Sequence, residues 1–161
     1  MTESLATADL FDDYGDRLEN CATQLTNYGG RVQFAGPIVT LRTFEDNSVL
    51  REMVHEPGGG KVLVVDAGAS LRAAVLGDRL AEAAATNGWS GIVIYGAVRD
   101  VAALRELSIG VKALGSNPRR SRKEGLGVRG ETLAFGGAVF TPGRTLVADE
   151  DGIVVLPEGS D

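Results

Sequence analysis

The sequence predicts an α/β fold, with a central βαβ unit and antiparallel strands toward its C-terminal end. Three observations carry that reading. Two short apolar runs, KVLVVD (61–66) and SGIVIYG (90–96), have the unbroken hydrophobicity of strands covered on both faces. Between them lies GDRLAEAAATNG (77–88), alanine-rich and bounded by an aspartate and an Asn-Gly pair, which reads as a helix. The last third changes to short β runs separated by Gly-Gly, Pro-Gly and Asp-Gly turns, the pattern of hairpins.

Taken in order, TADLFDDYGD places apolar residues at helical spacing behind a Thr7 cap and reads as a short helix. From Arg31, RVQFAGPIVTLRTF is rich in β-branched and aromatic residues, and Gly36-Pro37 either divides it into two strands or bends one. Residues 47–56 look helical and stop at Pro57 and the glycines 58–60. After strand 61–66, the stretch from Asp66 to Gly77 is open to more than one reading, with AAVL as a further short strand. The helix 77–88 starts with Asp78 in capping position. Strand 90–96 then leads to DVAALREL (100–107), a helix with Asp100 as its cap. Strand, helix, strand and helix in succession imply a parallel βαβ unit. TLAF and AVF form a hairpin around Gly136-Gly137. TLVA and IVVLP, joined by the turn DEDG, fold back on the central unit. No repeat or linker divides the chain, so residues 1–161 are expected to form one domain.

Composition narrows the function classes. With 43% apolar and 24% charged residues, 161 residues can bury a core. No apolar run approaches the roughly 18 residues of a membrane span. The opening MTESLATADLF lacks the basic and apolar regions of a signal peptide, so a cytoplasmic location and no membrane partner are expected. A single cysteine, Cys21, excludes an internal disulfide and a multi-thiolate metal site, and reads as a packed side chain. The single histidine, His55, would have to carry any histidine triad alone and excludes a histidine-rich zinc site. Any metal must then be held by oxygen, which favours Mg²⁺ or Mn²⁺.

A net charge of −6 opposes direct coating of nucleic acid. One segment departs from it: NPRRSRK (117–123) packs Arg119, Arg120, Arg122 and Lys123 closely, either as a solvated loop or as an anion or partner contact. Two glycine motifs carry no phosphate chemistry. GGGK (58–61) precedes a strand and has Val62 where Ser or Thr is needed, and GLGVRG (125–130) leads into a strand instead of a helix.

Asp78, Arg99 and Asp100 form the informative constellation. In a βαβ unit the start of the helix and the end of the second strand reach the same edge of the sheet, where open α/β sheets bind ligands. Twenty residues separate Asp78 from Arg99, yet the topology brings them together. An arginine fork binds a carboxylate. Two acids can hold a hard cation that polarises a keto oxygen. The alternative stands beside it: both aspartates are natural helix caps, and Arg99 could pair with a surface acid.

D-x20-R-D, formed by Asp78 and Arg99-Asp100, matches the signature of the 4-hydroxy-4-methyl-2-oxoglutarate aldolase family, which shares its fold with the regulators of ribonuclease E activity A. QFAGPIVTLRTFEDN, VLVVDAGASLRAAVLGDRLAEAA, GWSGIVIYGAVRDVAALRELSIGVKALGSNPRRS and FGGAVFTPGRTLVADEDGIVVLP also resemble this family. The resemblance implies a swivelling β/β/α domain assembled as a homotrimer, with sites between subunits. It implies metal-dependent cleavage of 4-hydroxy-4-methyl-2-oxoglutarate to two pyruvates, with oxaloacetate decarboxylation as a side activity through the same pyruvate enolate. By position, Asp100 would ligate the metal, Arg99 would bind the pyruvyl carboxylate and Asp78 would act through metal-bound water. The backbone of Gly77, Asp78, Arg79 and Leu80 would line the substrate. The dedicated aldolases have a longer C-terminal region, and this chain resembles the shorter regulator-type members, which implies a ribonuclease as an alternative partner.

Overall fold

The computed structural model describes residues 5–160. Its elements in chain order are α1 (Thr7–Tyr14), β1 (Glu19–Asn20), β2 (Thr26–Asn27), β3 (Phe34–Arg42), α2 (Ser48–Val54), β4 (Val62–Asp66), β5 (Ala74–Leu76), α3 (Asp78–Thr86), β6 (Gly91–Val98), α4 (Val101–Leu104), β7 (Gly110–Ser116), β8 (Val128–Arg129), β9 (Leu133–Phe135), β10 (Ala138–Phe140), β11 (Thr145–Ala148) and β12 (Ile153–Val155).

The stretch around Gly36-Pro37 is one bent strand, and the bend is what joins two sheets. Residues 34–37 of β3 pair antiparallel with β11, and residues 38–42 pair parallel with β4. Beyond β4 come β6 and β7, both parallel, and beyond β11 come β12 and β1. The C-terminal strands therefore fold back antiparallel onto the central unit, as their turn-rich pattern predicts. The β9–β10 hairpin forms a separate two-stranded sheet.

Strict alternation within the parallel strands divides the core into two layers. Leu63 and Val65 of β4 and Ile92 and Ile94 of β6 pack with Leu50, Met53, Leu80 and Ala84 of the helices. Val62, Val64 and Val93 point the other way, onto Phe135, Phe140, Leu146 and Val155. The result is a β/β/α sandwich in which the parallel strands are buried on both faces, which is why their sequences are unbroken apolar runs.

Several expectations need correction. Thr7 does not cap α1: it is the first helical residue, and its N–H and hydroxyl both donate to the Asp149 carboxylate, 2.8 and 2.7 Å away. Asp78 is likewise the first residue of α3, after Gly77, and makes no side-chain cap. Helix 100–107 shrinks to the four residues of α4, because the chain tightens through 104–109 and must enter β7 at Gly110. The strand β7 has no counterpart in the sequence reading, since Lys112 at its centre disguises it. Lys112 is only 2% exposed.

Candidate active site

The strand that carries Asp78 to its place is β5. After a bulge, β5 takes over from β4 along β6, and the register sets Leu76 opposite Val98. Gly77-Asp78 and Arg99-Asp100 thus leave two neighbouring, parallel strands at the same level. Their chains are tied where they emerge, the Arg99 N–H donating to the Leu76 carbonyl over 2.9 Å.

Asp100 occupies the residue before α4, but its carboxylate does not serve that helix. Its backbone is left-handed (φ 60°, ψ 44°), an uncommon conformation for a side-chain-bearing residue that fits a functional constraint. That turn sends Oδ2 to the start of α3, where it accepts the Asp78 N–H at 3.0 Å. The Arg99 Nε lies 3.8 Å from the same oxygen. The hydrogen bond from the Asp78 backbone first, then the Asp78 side chain and the Arg99 charge, hold the Asp100 carboxyl below its ordinary range against partial burial. Asp100 is therefore an anion.

Gly77 is required by this closeness: a Cβ there would stand 2.6 Å from Asp100 Oδ2 and 3.3 Å from Arg99 Cγ. The amides of Arg79 and Leu80, in the first turn of α3, have no intrahelical carbonyl to donate to, so they present an anion-friendly face. All six residues named from the sequence (Gly77, Asp78, Arg79, Leu80, Arg99 and Asp100) line one cavity of about 370 Å³, within the size range of small-molecule sites.

The donor set suits a hard cation held loosely. Among the described residues no group of three or more His, Cys, Asp or Glu side chains converges. Mg²⁺ keeps several waters and takes one or two protein carboxylates, which Asp100 and its neighbour Asp78 can supply. His55 is exposed, its ring nitrogen bonded to the Arg51 carbonyl, and it lies outside the cavity lining. Cys21 is packed and buried, and burial raises its thiol pKa. Gly58 closes against Trp89, and residues 125–130 are an exposed segment that contains the two-residue β8, so neither glycine motif is a phosphate cradle.

The basic segment supplies what the sequence left undecided. It runs as a strap beside β5: the Ala74 N–H donates to the Arg119 carbonyl and the Ser121 N–H to the Ala74 carbonyl. It is then tied to the start of α2, where Arg122 bonds the Glu45 and Asn47 backbones. Asp46, nearly fully buried, accepts the N–H groups of Ser48 and Glu124. This register brings Arg120 and Lys123 into the cavity lining, together with Asn47 and Arg51 of the α2 start. Sequence spacing had no signal for that, because the contacts are tertiary.

The fold is thus an α/β protein that places an arginine and two acids at the ends of adjacent parallel strands, on one cavity. Residues 5–155 match the RraA-like family, described as Aldolase/RraA, and the chain belongs to it. It is similar to the RNA-processing inhibitor RraA from Thermus thermophilis, at 46% identity over 99% of this chain and 96% of that one, with a TM-score of 0.94. A Geobacillus kaustophilus HTA426 structure described as an S-adenosylmethionine:2-dimethylmenaquinone methyltransferase is 46% identical over 94% of both chains, with a TM-score of 0.92. Streptomyces coelicolor RraAS2, described as an unusual member of the RNase ES inhibitor RraA family, is 28% identical over 97% of this chain and 81% of that one, with a TM-score of 0.74. None of the described helices is long and apolar enough to cross a membrane.

Proposed function

We propose that this chain is a divalent-metal-dependent lyase that cleaves 4-hydroxy-4-methyl-2-oxoglutarate to two pyruvates and decarboxylates oxaloacetate as a side activity. The observation that carries the reading is the convergence of ionised Asp100, Arg99 and the open amides of α3 on one cavity. Arg99 binds the substrate carboxylate next to the keto group, and the amides of Arg79 and Leu80 hold the oxygens on the helix side. Asp100 would hold a divalent cation, Mg²⁺ or Mn²⁺, which when bound would supply positive charge to polarise the keto oxygen. In oxaloacetate the bond between the methylene carbon and the distal carboxylate breaks, carbon dioxide leaves, and the electron pair passes into the enolate of pyruvate. Asp78 orients a water that delivers a solvent proton to the methylene carbon. A homotrimer with sites between subunits, and a cytoplasmic location, belong to the same proposal.

The test is pyruvate release from both substrates by the purified chain, with and without chelator. Metal-dependent release that disappears in Asp100→Ala supports the reading, and equal release by the variant removes it.

A second reading is favoured by the names of two relatives, which are described as an inhibitor of RNA processing and a member of an RNase inhibitor family. In it, the chain binds a ribonuclease E-type endonuclease and slows RNA cleavage. Titrating the chain into such an endonuclease and following cleavage of an RNA substrate tests it. An unchanged rate counts against it.

A further inference from the structure

Lys112 has no place in the candidate site and no partner of its own. It is 2% exposed, and among the described residues it makes no ion pair or hydrogen bond. In register it stands opposite Val93, whereas Ser116, four residues on, is level with Val98 at the edge of the candidate site. Four residues of strand separate the two places by about 13 Å. Its neighbours Val111 and Ala113 belong to the helix-side core, so Lys112 points into the layer between the sheets.

There it meets Cys21. The two line one cavity of about 30 Å³, whose wall includes Glu150, Asp151 and Gly152. That is room for about one water. The Cys21 N–H is pinned to the Ile153 carbonyl over 3.1 Å. Gly136 shuts one side of the sulfur, since a Cβ there would stand 2.7 Å from Sγ. The contact of Sγ with the Thr23 carbonyl is long, 3.8 Å. Asn27, opposite Lys112 on β2 and so on the same face, keeps a buried Oδ1 without a hydrogen-bond partner. Packing accounts for a buried thiol, but not for a partnerless ammonium held against it, which is destabilising.

The two heads are also matched in charge state. Burial pushes the Cys21 thiol up and the Lys112 amine down, the latter against the pull of Asp149, Glu150 and Cys21. The amine is thus shifted toward its free, nucleophilic form. Residues 21–25 have no regular structure and the lysine stem is long, so the pair can close the gap between them.

We infer that Cys21 and Lys112 form an oxidative modification site, at which hydrogen peroxide drives closure of a sulfenamide cross-link between the two layers of strands. In the first step the Cys21 sulfur attacks one peroxide oxygen and the O–O bond breaks, giving a sulfenic acid and water. In the second the Lys112 amine attacks that sulfur, the S–O bond breaks, and the hydroxyl leaves with an amine proton as a second water. Thiol and amine together lose two hydrogens, and peroxide is reduced. The raised thiol pKa makes the first step slow at neutral pH and faster under mildly alkaline conditions. The inference is independent of the lyase reading.

The test treats the intact chain with hydrogen peroxide at mildly alkaline pH, digests it without reductant and reads the peptides by mass spectrometry. Lys112→Met and Cys21→Ser are treated alongside. Wild type is expected to yield a peptide pair joined through Cys21 and Lys112, two hydrogens lighter than its parts. The joined pair is expected to be absent from both variants and to separate on addition of a thiol reductant. Dimedone, which captures sulfenic acids, is expected to label Cys21 at least three-fold more in Lys112→Met than in wild type, because no amine there consumes the intermediate. A lysine with a merely structural role would not move that label. Cys21 recovered as free thiol or sulfinic acid without any cross-link overturns the inference. So does equal dimedone labelling of wild type and Lys112→Met, or a cross-link to Lys61 or Lys123 instead.

Discussion

The backbone N–H of Asp78 donates to Oδ2 of Asp100 over 3.0 Å, so a carboxylate 22 residues further along the chain caps the helix that Asp78 begins. One group thereby serves structure and chemistry together. The same device recurs at α1, where Asp149 accepts the N–H and hydroxyl of Thr7 across 142 residues. In both cases the first helical amide is satisfied from a distant loop, and the loop is fixed in return.

Asp100→Ala is expected to lower stability by about 1 kcal/mol, the ordinary cost of a lost cap, and to abolish turnover. Asp100→Asn retains an acceptor oxygen and is expected to recover most of the stability but none of the turnover. Urea unfolding of the two variants beside an oxaloacetate assay checks the split. Parallel loss in both measurements would make Asp100 merely structural.

Gly77→Ala drives a methyl against Asp100 Oδ2 and Arg99 Cγ. The carboxylate can swing away at small cost to folding, but it then leaves its position. A misplacement of about 1 Å costs on the order of 100-fold in rate, so kcat/KM is expected to fall by that order while the urea midpoint shifts little. Steady-state kinetics on the folded variant tests this.

Arg99→Lys keeps the charge and loses the fork. Bidentate carboxylate binding is then replaced by a point contact, and the oxaloacetate KM is expected to rise on the order of ten-fold or more. An unchanged KM would place Arg99 outside the substrate contact.

Acid stability reports the buried caps. Burial alone would raise the carboxyl pKa values of Asp46 and Asp149, but the hydrogen bonds from Ser48 and Glu124, and from Thr7, outweigh it and hold both below the ordinary value. A carboxylate whose folded pKa is depressed stabilises fully above its unfolded value, about 4, and loses that contribution as pH falls toward the folded one. Asp149→Asn is expected to be less stable than wild type at pH 7, with the difference shrinking below about pH 4. Unfolding midpoints from pH 7 down to pH 3 give the comparison.

Lys112 offers an opposite case. Burial lowers its pKa, against the raising influence of Asp149, Glu150 and Cys21, and its ammonium has no hydrogen bond or ion pair among the described residues. Lys112→Met is expected to leave the fold intact and to raise stability by on the order of 1 kcal/mol at neutral pH.

Much of this architecture was legible. Unbroken apolar runs at 61–66 and 90–96 mark strands buried on both faces, and the spacing of Asp78 and Arg99-Asp100 follows from strand ends that share an edge. Hidden features all depend on contacts between distant segments. The strand β7 carries Lys112 where an apolar residue would announce it. Thr7 and Asp78 look like caps because local sequence cannot show that Asp149 and Asp100 perform the capping from elsewhere. The basic strap reads as solvated until the pairing of Arg120 with Ala74 sets it on the cavity.

The lyase account asks Arg99 and Asp100 to support a pyruvate enolate, and that step can be watched without carbon–carbon cleavage. Proton NMR of pyruvate in deuterium oxide with Mg²⁺ follows loss of the methyl signal as its protons exchange. Wild type is expected to catalyse exchange, with chelator, Asp100→Asn and Arg99→Ala each reducing it to the uncatalysed rate. Exchange that continues undiminished in Asp100→Asn, or that never exceeds the protein-free rate in wild type, would contradict the account.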